Sequence, residues 1–204
     1  VGMTEPTAFN RDRMSTGSAC LDLVIGGGIG PGWYTFFGPE GACKTTGALT
    51  VMGAAIRQNN VPIIALHDYE GSAGADPDYL ESVLRTVGVK ESTENIFGVK
   101  DRNGKYVVAP KVRYHDEAIG ETFFNWLAAL ERRLPDKRFI GGNWWYIYED
   151  TKENKAKFSE FSDPKMSKTH SAGIYVPAVD GNLQALVIVD SYPAMNPQAM
   201  DEDD

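Results

Sequence analysis

Gly38-Pro39-Glu40-Gly41-Ala42-Cys43-Lys44-Thr45-Thr46 is a glycine-bearing turn that runs into a lysine and two hydroxyls. It meets the phosphate-binding pattern G-x-x-x-x-G-K-S/T at every fixed position but one, where Cys43 stands in place of glycine. Upstream, Gly32-Trp33-Tyr34-Thr35-Phe36-Phe37 reads as a short buried strand. Downstream, Thr45 to Gln58 reads as a helix with Ala48, Leu49, Val51, Met52, Ala55 and Ile56 on one face. Strand, turn and helix are the context in which the pattern works. The first N–H groups of such a helix point at a phosphate, and the helix dipole favours its charge. Lys44 is the expected partner of terminal phosphates, and the Thr45 hydroxyl the expected Mg²⁺ ligand. The plainer alternative is an ordinary strand-to-helix turn.

Length and charge agree with a nucleotide-binding domain. A chain of 204 residues can bury a core large enough to fold as one domain. It has no apolar run long enough to span a bilayer, and its first residues do not pair a basic region with an apolar one. Two cysteines, Cys20 and Cys43, give no disulfide framework and suit a reducing compartment, so a cytoplasmic location without a membrane segment is expected. A net charge of −8 argues against a broadly basic nucleic-acid surface, though not against a local one.

Along the chain, one core is interrupted by added material. Residues 1–13 are polar and expected to be flexible. Met14 to Gly32 reads as a short helix entering a glycine-rich loop. Val61 to Asp68 is a buried strand ending in an acid. Asp76-Pro77 opens a helix that runs to about Val87 and stops at Gly88. Lys100 to Val108 looks like a hairpin turning at Asn103-Gly104. Glu117 to Leu134 is a further helix, and Leu183 to Val189 an apolar strand ending at Asp190-Ser191. Alternating strands and helices predict an α/β fold with a mostly parallel sheet. Residues 14–204 form the expected core, with a β-rich insertion at about 135–182.

The order of these segments resembles the RecA family of recombinases. Met14-Ser15-Thr16-Gly17-Ser18, Leu21-Asp22 and Gly26-Gly27-Gly28 resemble that family's approach to its phosphate loop, and Gly38-Pro39-Glu40 with Lys44-Thr45-Thr46 resembles the loop itself. Asp68-Tyr69-Glu70, Asp76-Pro77-Asp78-Tyr79 and Val87-Gly88-Val89 are similar to its next strand and helix. Ile188-Val189-Asp190-Ser191, followed by Asn196-Pro197, is similar to its second acidic strand. These segments span about half the chain, and their spacing is closer to phage members of the UvsX kind than to the cellular protein.

The resemblance implies a RecA-type P-loop NTPase core that binds ATP and Mg²⁺ and hydrolyses ATP. It implies a homo-oligomer or filament on single-stranded DNA, serving homologous recombination and repair. Nucleotide contacts would come from Gly38, Pro39, Glu40, Gly41, Ala42, Cys43, Lys44, Thr45 and Thr46, with Mg²⁺ at Thr45 and Asp190. Ser191 would contact the attacking water or the γ-phosphate, and Glu70 would be the general base. Asp68, on the same strand, is the runner-up for that role. Tyr79 would stack on adenine, the alternative being an ordinary amphipathic-helix tyrosine. His67 reads as a strand-end histidine rather than a metal ligand.

Three departures bear on activity, the first being that Glu70 to Asp76 is two residues longer than the spacing expected in the family. A non-glycine residue before the lysine is expected to need positive φ, at a cost on the order of 1–2 kcal/mol. The stretch after Asp190 matches none of the DNA-binding loops that follow in the family, so the core is expected to be partial on its carboxyl side. A helicase or motor ATPase of the same type, or a weakly active nucleotide-binding assembly module, is the alternative. In the insertion, aromatics of Trp144-Trp145-Tyr146-Ile147-Tyr148 and lysines Lys152, Lys155, Lys157, Lys165 and Lys168 stand near Phe158, Phe161 and His170. Such a mixture either stacks and neutralises a single strand of nucleic acid or forms a satellite core beside a solvated charged loop.

Overall fold

Ile63-Ile64-Ala65-Leu66-His67-Asp68 carries no alternation of apolar and polar residues until its end, and a strand of that kind needs cover on both faces. The computed structural model describes residues 13–59, 61–117, 119–158, 162–170, 172–178 and 183–194 and gives this strand such cover. The described residues fall into two compact units. One lies within Val1–Phe124 and Leu183–Asp204, the other within Asn125–Asn182.

The first unit runs α1 (Ala19–Val24), α2 (Lys44–Gln58), β1 (Ile63–Asp68), α3 (Ser72–Ala75), α4 (Pro77–Thr86), α5 (Thr93–Phe97), β2 (Val99–Lys100), β3 (Tyr106–Val108) and β4 (Val112–His115). Next comes α6 (Gly120–Glu131), which crosses the division between the units. After β5 (Asp136–Ile140), β6 (Asn143–Tyr148), α7 (Lys152–Phe158), α8 (Pro164–Thr169) and β7 (Ile174–Pro177), the chain re-enters the first unit as β8 (Ala185–Asp190). β1 is the middle strand of a parallel sheet ordered β4-β1-β8. The register pairs His67 with His115 and Asp68 with Asp190, so the carboxyl ends of β1 and β8 finish side by side. The fold class is α/β, a three-stranded parallel sheet flanked by helices.

Local chemistry sets the helices. Asp76 caps α4 by accepting from the Tyr79 N–H at 2.9 Å, and Pro77 occupies the first helical position where its missing N–H is harmless. Leu80, Val83 and Leu84, at i, i+3 and i+4, are its buried residues. The helix ends on Gly88 at φ +87, with the Val89 N–H returned to the Leu84 carbonyl at 3.1 Å. α4 packs on α2 at Gly53, where an added Cβ would lie 2.6 Å from a Val87 methyl and 2.8 Å from one of Leu84. The approach to the Gly38–Thr46 turn is closed by paired hydrogen bonds between Met14 and Ile29, both 2.7 Å, with the Met14 side chain in the core. Asp22 holds the same loop, accepting from the Ser15 hydroxyl and from the N–H and hydroxyl of Thr16. Burial alone would raise its pKa; these hydrogen bonds outweigh that and hold it below the ordinary value.

One expectation is overturned. Residues 32–37 form no strand, and Trp33 and Phe37 are 72% and 92% exposed. Gly32 enters the segment at φ +147, away from strand geometry. Its side-chain polar groups bond locally: the Gly30 N–H donates to the Tyr34 hydroxyl at 3.0 Å, and Trp33 Nε1 donates to the Thr35 hydroxyl at 3.2 Å. Among the described residues, β8 is hydrogen-bonded to β1 alone in the sheet. The hairpin is present as β2 and β3, antiparallel around the Asn103-Gly104 turn. The sequence reading had no strand at β4 or β5, and the helix expected over Glu117–Leu134 is shorter, as α6. Of residues 1–13, only Arg13 is described, and its guanidinium is anchored on the Ile25 and Gly28 carbonyls. Asn196, Pro197 and Phe161 lie outside the described residues.

The second unit is an antiparallel sheet ordered β5-β6-β7. β5 and β6 join through Gly141-Gly142, both at positive φ, as a tight hairpin of right-twisted strands requires. Trp145 and Tyr175 are buried on one side of this sheet. Where a solvated lysine-rich loop was the plain expectation, α7 and α8 form instead. Asp163 caps α8 by accepting from the Lys165 N–H, with Pro164 in the first turn, and Tyr148 stacks on Phe158 of α7 at 4.0 Å.

Candidate functional site

The residues singled out from the sequence lie where the parallel strands end, which in open α/β sheets is where ligands bind. Cys43 caps the amino end of α2 in the left-handed conformation, φ 56 and ψ 30, and its side chain makes no capping bond. The strain expected from a residue other than glycine is therefore present. Gly41, at φ +74, also takes a left-handed backbone, with open space around the position of its missing Cβ. Lys44 folds back over the turn, its ammonium donating to the carbonyls of Gly38 at 3.2 Å and Pro39 at 3.0 Å. Beside it lies a hollow of about 310 Å³ lined by Thr35, Phe36, Phe37, Ala42, Cys43, Lys44 and Gly47.

Asp190 comes to the same place from β8. Burial raises its pKa, as do the charges of Glu70 and Asp68, while hydrogen bonds from the Thr45 and Ser72 hydroxyls pull it down. Crowded carboxylates facing a hydroxyl at the start of a helix fit a divalent cation, because its charge would relieve their repulsion. Among the described residues, no three His, Cys, Asp or Glu side chains converge as a metal cluster. Thr45 and Asp190 are the residues that would hold a magnesium ion, which needs few protein ligands of its own.

Glu70 follows β1, and its carboxylate accepts a hydrogen bond from the Ser191 hydroxyl. The backbone locks this pair. The N–H groups of Tyr69 and Glu70 donate to the Asp190 carbonyl at 2.6 and 3.2 Å. The chain leaves β8 through a cis Asp190–Ser191 peptide. Glu70 is exposed, so water reaches its carboxylate.

Asp68, the runner-up, has other work. It is 1% exposed and accepts from the N–H groups of Ser72, Ala73 and Gly74, from the Ser72 hydroxyl and from the Tyr114 hydroxyl. These bonds cap α3 and leave the carboxylate poorly placed to activate water. Burial, then the neighbouring Asp68 charge, pushes the Tyr114 phenol far above its ordinary pKa, so it stays a donor. Ser72, which also donates to Asp190 at 3.3 Å, and Tyr114 were missed in the sequence. A serine four residues after a strand-ending Asp is the one local sign that could have marked Ser72 as part of a cap.

Tyr79 is brought to the loop, its hydroxyl 2.6 Å from that of Thr46, and its ring packs against the core. His67 is buried, stacked on His115 at 4.5 Å and set edge-on to Phe123 at 4.9 Å, with Nδ1 3.2 Å from the Tyr69 hydroxyl. Burial, then the charge of His115, pushes its pKa down to about 4. The unfolded chain binds this proton near pH 6.5 and the folded chain does not. Stability is therefore full above pH 6.5 and falls as pH drops toward 4, by roughly 3 kcal/mol at most at 1.36 kcal/mol per pH unit. Urea unfolding followed between these values should show this slope, and His67→Phe should flatten it; an equal slope in both would discount His67.

Cys43→Gly tests the strained cap. It removes the left-handed penalty and loses no capping bond, while glycine loosens the unfolded chain by about 0.4–1 kcal/mol. The expected net gain is roughly 0.5–1 kcal/mol in urea unfolding, with tighter ATP binding by calorimetry. A stability loss of about 0.4–1 kcal/mol with unchanged ATP affinity would show that the loop accommodates cysteine without strain.

Comparison with protein-family models, with curated proteins and with solved structures finds no match for this chain.

Proposed function

We propose that this chain is the ATP-binding and ATP-hydrolysing core of a RecA-like recombinase, a cytoplasmic protein that assembles with copies of itself on single-stranded DNA. The observation that carries the reading is the convergence of Thr45 and Asp190. The Thr45 hydroxyl, from the first turn after a glycine-bearing loop, hydrogen-bonds Asp190 at the end of a parallel strand, and Lys44 precedes Thr45 with its ammonium folded over the loop. The family resemblance of the motifs supplies recombination and DNA. No helix among the described residues is long and apolar enough to cross a membrane.

In this mechanism Lys44 leaves the Gly38 and Pro39 carbonyls and donates to the β- and γ-phosphate oxygens. The free N–H groups at the start of α2 bind the same phosphates, since a helix begins with unpaired donors. Bound Mg²⁺ neutralises phosphate charge. Thr45 and Asp190 would hold it. Glu70, oriented by Ser191, accepts a hydrogen bond from the attacking water and takes its proton as the water oxygen bonds to the γ-phosphorus and the bond to the β–γ bridging oxygen breaks, releasing ADP. Tyr79, tethered to Thr46 with its ring against the core, fits a packed helix tyrosine better than an adenine platform.

Calorimetric titration of ATP with and without Mg²⁺, joined to phosphate release with and without single-stranded DNA, tests the whole reading. Mg²⁺-dependent binding and DNA-stimulated release are expected; absence of ATP binding would remove it. The left-handed Cys43 favours a second reading, a nucleotide-binding assembly module with little turnover. ATP binding without release, whether or not DNA is added, is the outcome that selects it.

A further inference from the structure

We propose that the Ser72 hydroxyl is a positioning group for the Asp190 carboxylate, and that Tyr114 frees its proton for that task by bonding Asp68. The inference rests on the Thr45–Asp190 cation site of the function proposed above, and adds the residues that hold one of its ligands in place.

The sheet register sets two carboxylates beside each other. Asp68 and Asp190 are paired at the ends of β1 and β8, the first buried and the second half-buried. The Ser72 hydroxyl lies 3.3 Å from Asp68 Oδ1 and 3.3 Å from Asp190 Oδ2. A serine hydroxyl carries one hydrogen, so it serves one of these acceptors at a time. The two carboxylates differ in what else they receive. Asp68 Oδ1 accepts from the Ser72 N–H at 3.0 Å, and its Oδ2 from the N–H groups of Ala73 at 2.8 Å and Gly74 at 3.2 Å. The Tyr114 hydroxyl adds a further donor to Oδ2 at 3.1 Å. Glycine at 74 admits it, since a Cβ there would lie 2.3 Å from the Tyr114 oxygen. Among the described residues, the side-chain donors to Asp190 are the Thr45 and Ser72 hydroxyls. The Ser72 proton therefore matters most on Asp190, the carboxylate with fewer donors.

The backbone of Asp190 is fixed by other means. Its carbonyl accepts from the N–H groups of Tyr69 and Glu70, and those bonds leave the torsions of the carboxylate to be set by its own partners. Of its two hydroxyl partners, Thr45 belongs to the pair that would hold the cation. Ser72 stands outside that pair, on α3, and orients a ligand without taking a coordination position, as the outer partners of metal ligands do. Asp68, in turn, holds Ser72 by its N–H, so the serine keeps its place whichever carboxylate takes the hydroxyl proton.

Calorimetric titration of the full chain with ATP, in EDTA and at a series of Mg²⁺ concentrations, reads the placement of Asp190 apart from turnover. Ser72→Ala keeps the N–H that bonds Asp68 and removes only the hydroxyl. It should raise the Mg²⁺ concentration for half-maximal ATP binding about tenfold, the usual effect of losing an outer partner of a metal ligand. ATP affinity in EDTA should stay as in the unaltered chain, and Ser72→Thr, which restores a hydroxyl, should recover the Mg²⁺ response. Tyr114→Phe should shift that response in the same direction, because Asp68, one donor short, draws the Ser72 proton to itself. Added to Ser72→Ala, it should shift the response no further, since both changes act through one proton. An unaltered Mg²⁺ response in Ser72→Ala, or an equal fall of its ATP affinity in EDTA, would overturn the proposal and leave the ATPase reading standing. Additive shifts in the double variant would overturn the part given to Tyr114. Absence of any Mg²⁺ response in the unaltered chain would sink the cation site, and this inference with it.

Discussion

In Lys44→Ala, ATP turnover is expected to vanish and ATP affinity to fall by on the order of a hundredfold. A hydrogen bond to a charged group contributes about 1.5–3 kcal/mol, and here one ammonium faces several phosphate oxygens. The lysine also ties the turn together through the Gly38 and Pro39 carbonyls, so part of the loss could come from a looser loop. Lys44→Arg, which keeps the charge and those bonds but changes the head group, separates the two. Recovery of affinity in Lys44→Arg would assign the effect to charge. Unchanged affinity in Lys44→Ala, measured by calorimetry, would remove the phosphate-loop reading altogether.

Glu70→Gln should leave ATP affinity intact and lower turnover by roughly 10²–10⁴-fold, the usual contribution of a positioned general base. The glutamine carbonyl can still accept from Ser191, so the local geometry is kept while the basic oxygen is lost. Asp68→Asn is the instructive partner. Its NH₂ would replace one carboxylate oxygen and face either the Ser72 N–H or those of Ala73 and Gly74, so its effect should appear mainly as lost stability. If Asp68→Asn kept its unfolding midpoint and lost turnover as fully as Glu70→Gln, the role of base would pass to Asp68.

The parts legible in the sequence are those whose signal is local. β1 and β8 are unbroken apolar runs, α4 has an aspartate cap, a proline and a glycine stop, and α2 follows from its apolar face. The turn at Asn103-Gly104 announces its hairpin. β4 was hidden because Val112 is buried and Arg113 exposed, in a run too short to show a period. The segment at 32–37 misled for the opposite reason. Its aromatics look like a buried strand, yet pairing in a sheet is decided by distant residues, and none of its side chains is buried. In the candidate site, the loop and both acidic strand ends were readable as motifs. The bonds that give Asp68 and Glu70 different tasks, from Tyr114 and Ser191, join residues 46 and 121 positions apart and left no mark in the local pattern.

The bare indole of Trp33 makes the segment before the phosphate loop visible to light. Trp145 is shielded and Trp126 and Trp144 are half-buried, so a small aqueous quencher will reach the emission of Trp33 first. Any ligand that draws Phe36 and Phe37 over the hollow carries this indole with it, and the chain reports that movement by its own fluorescence without an added dye.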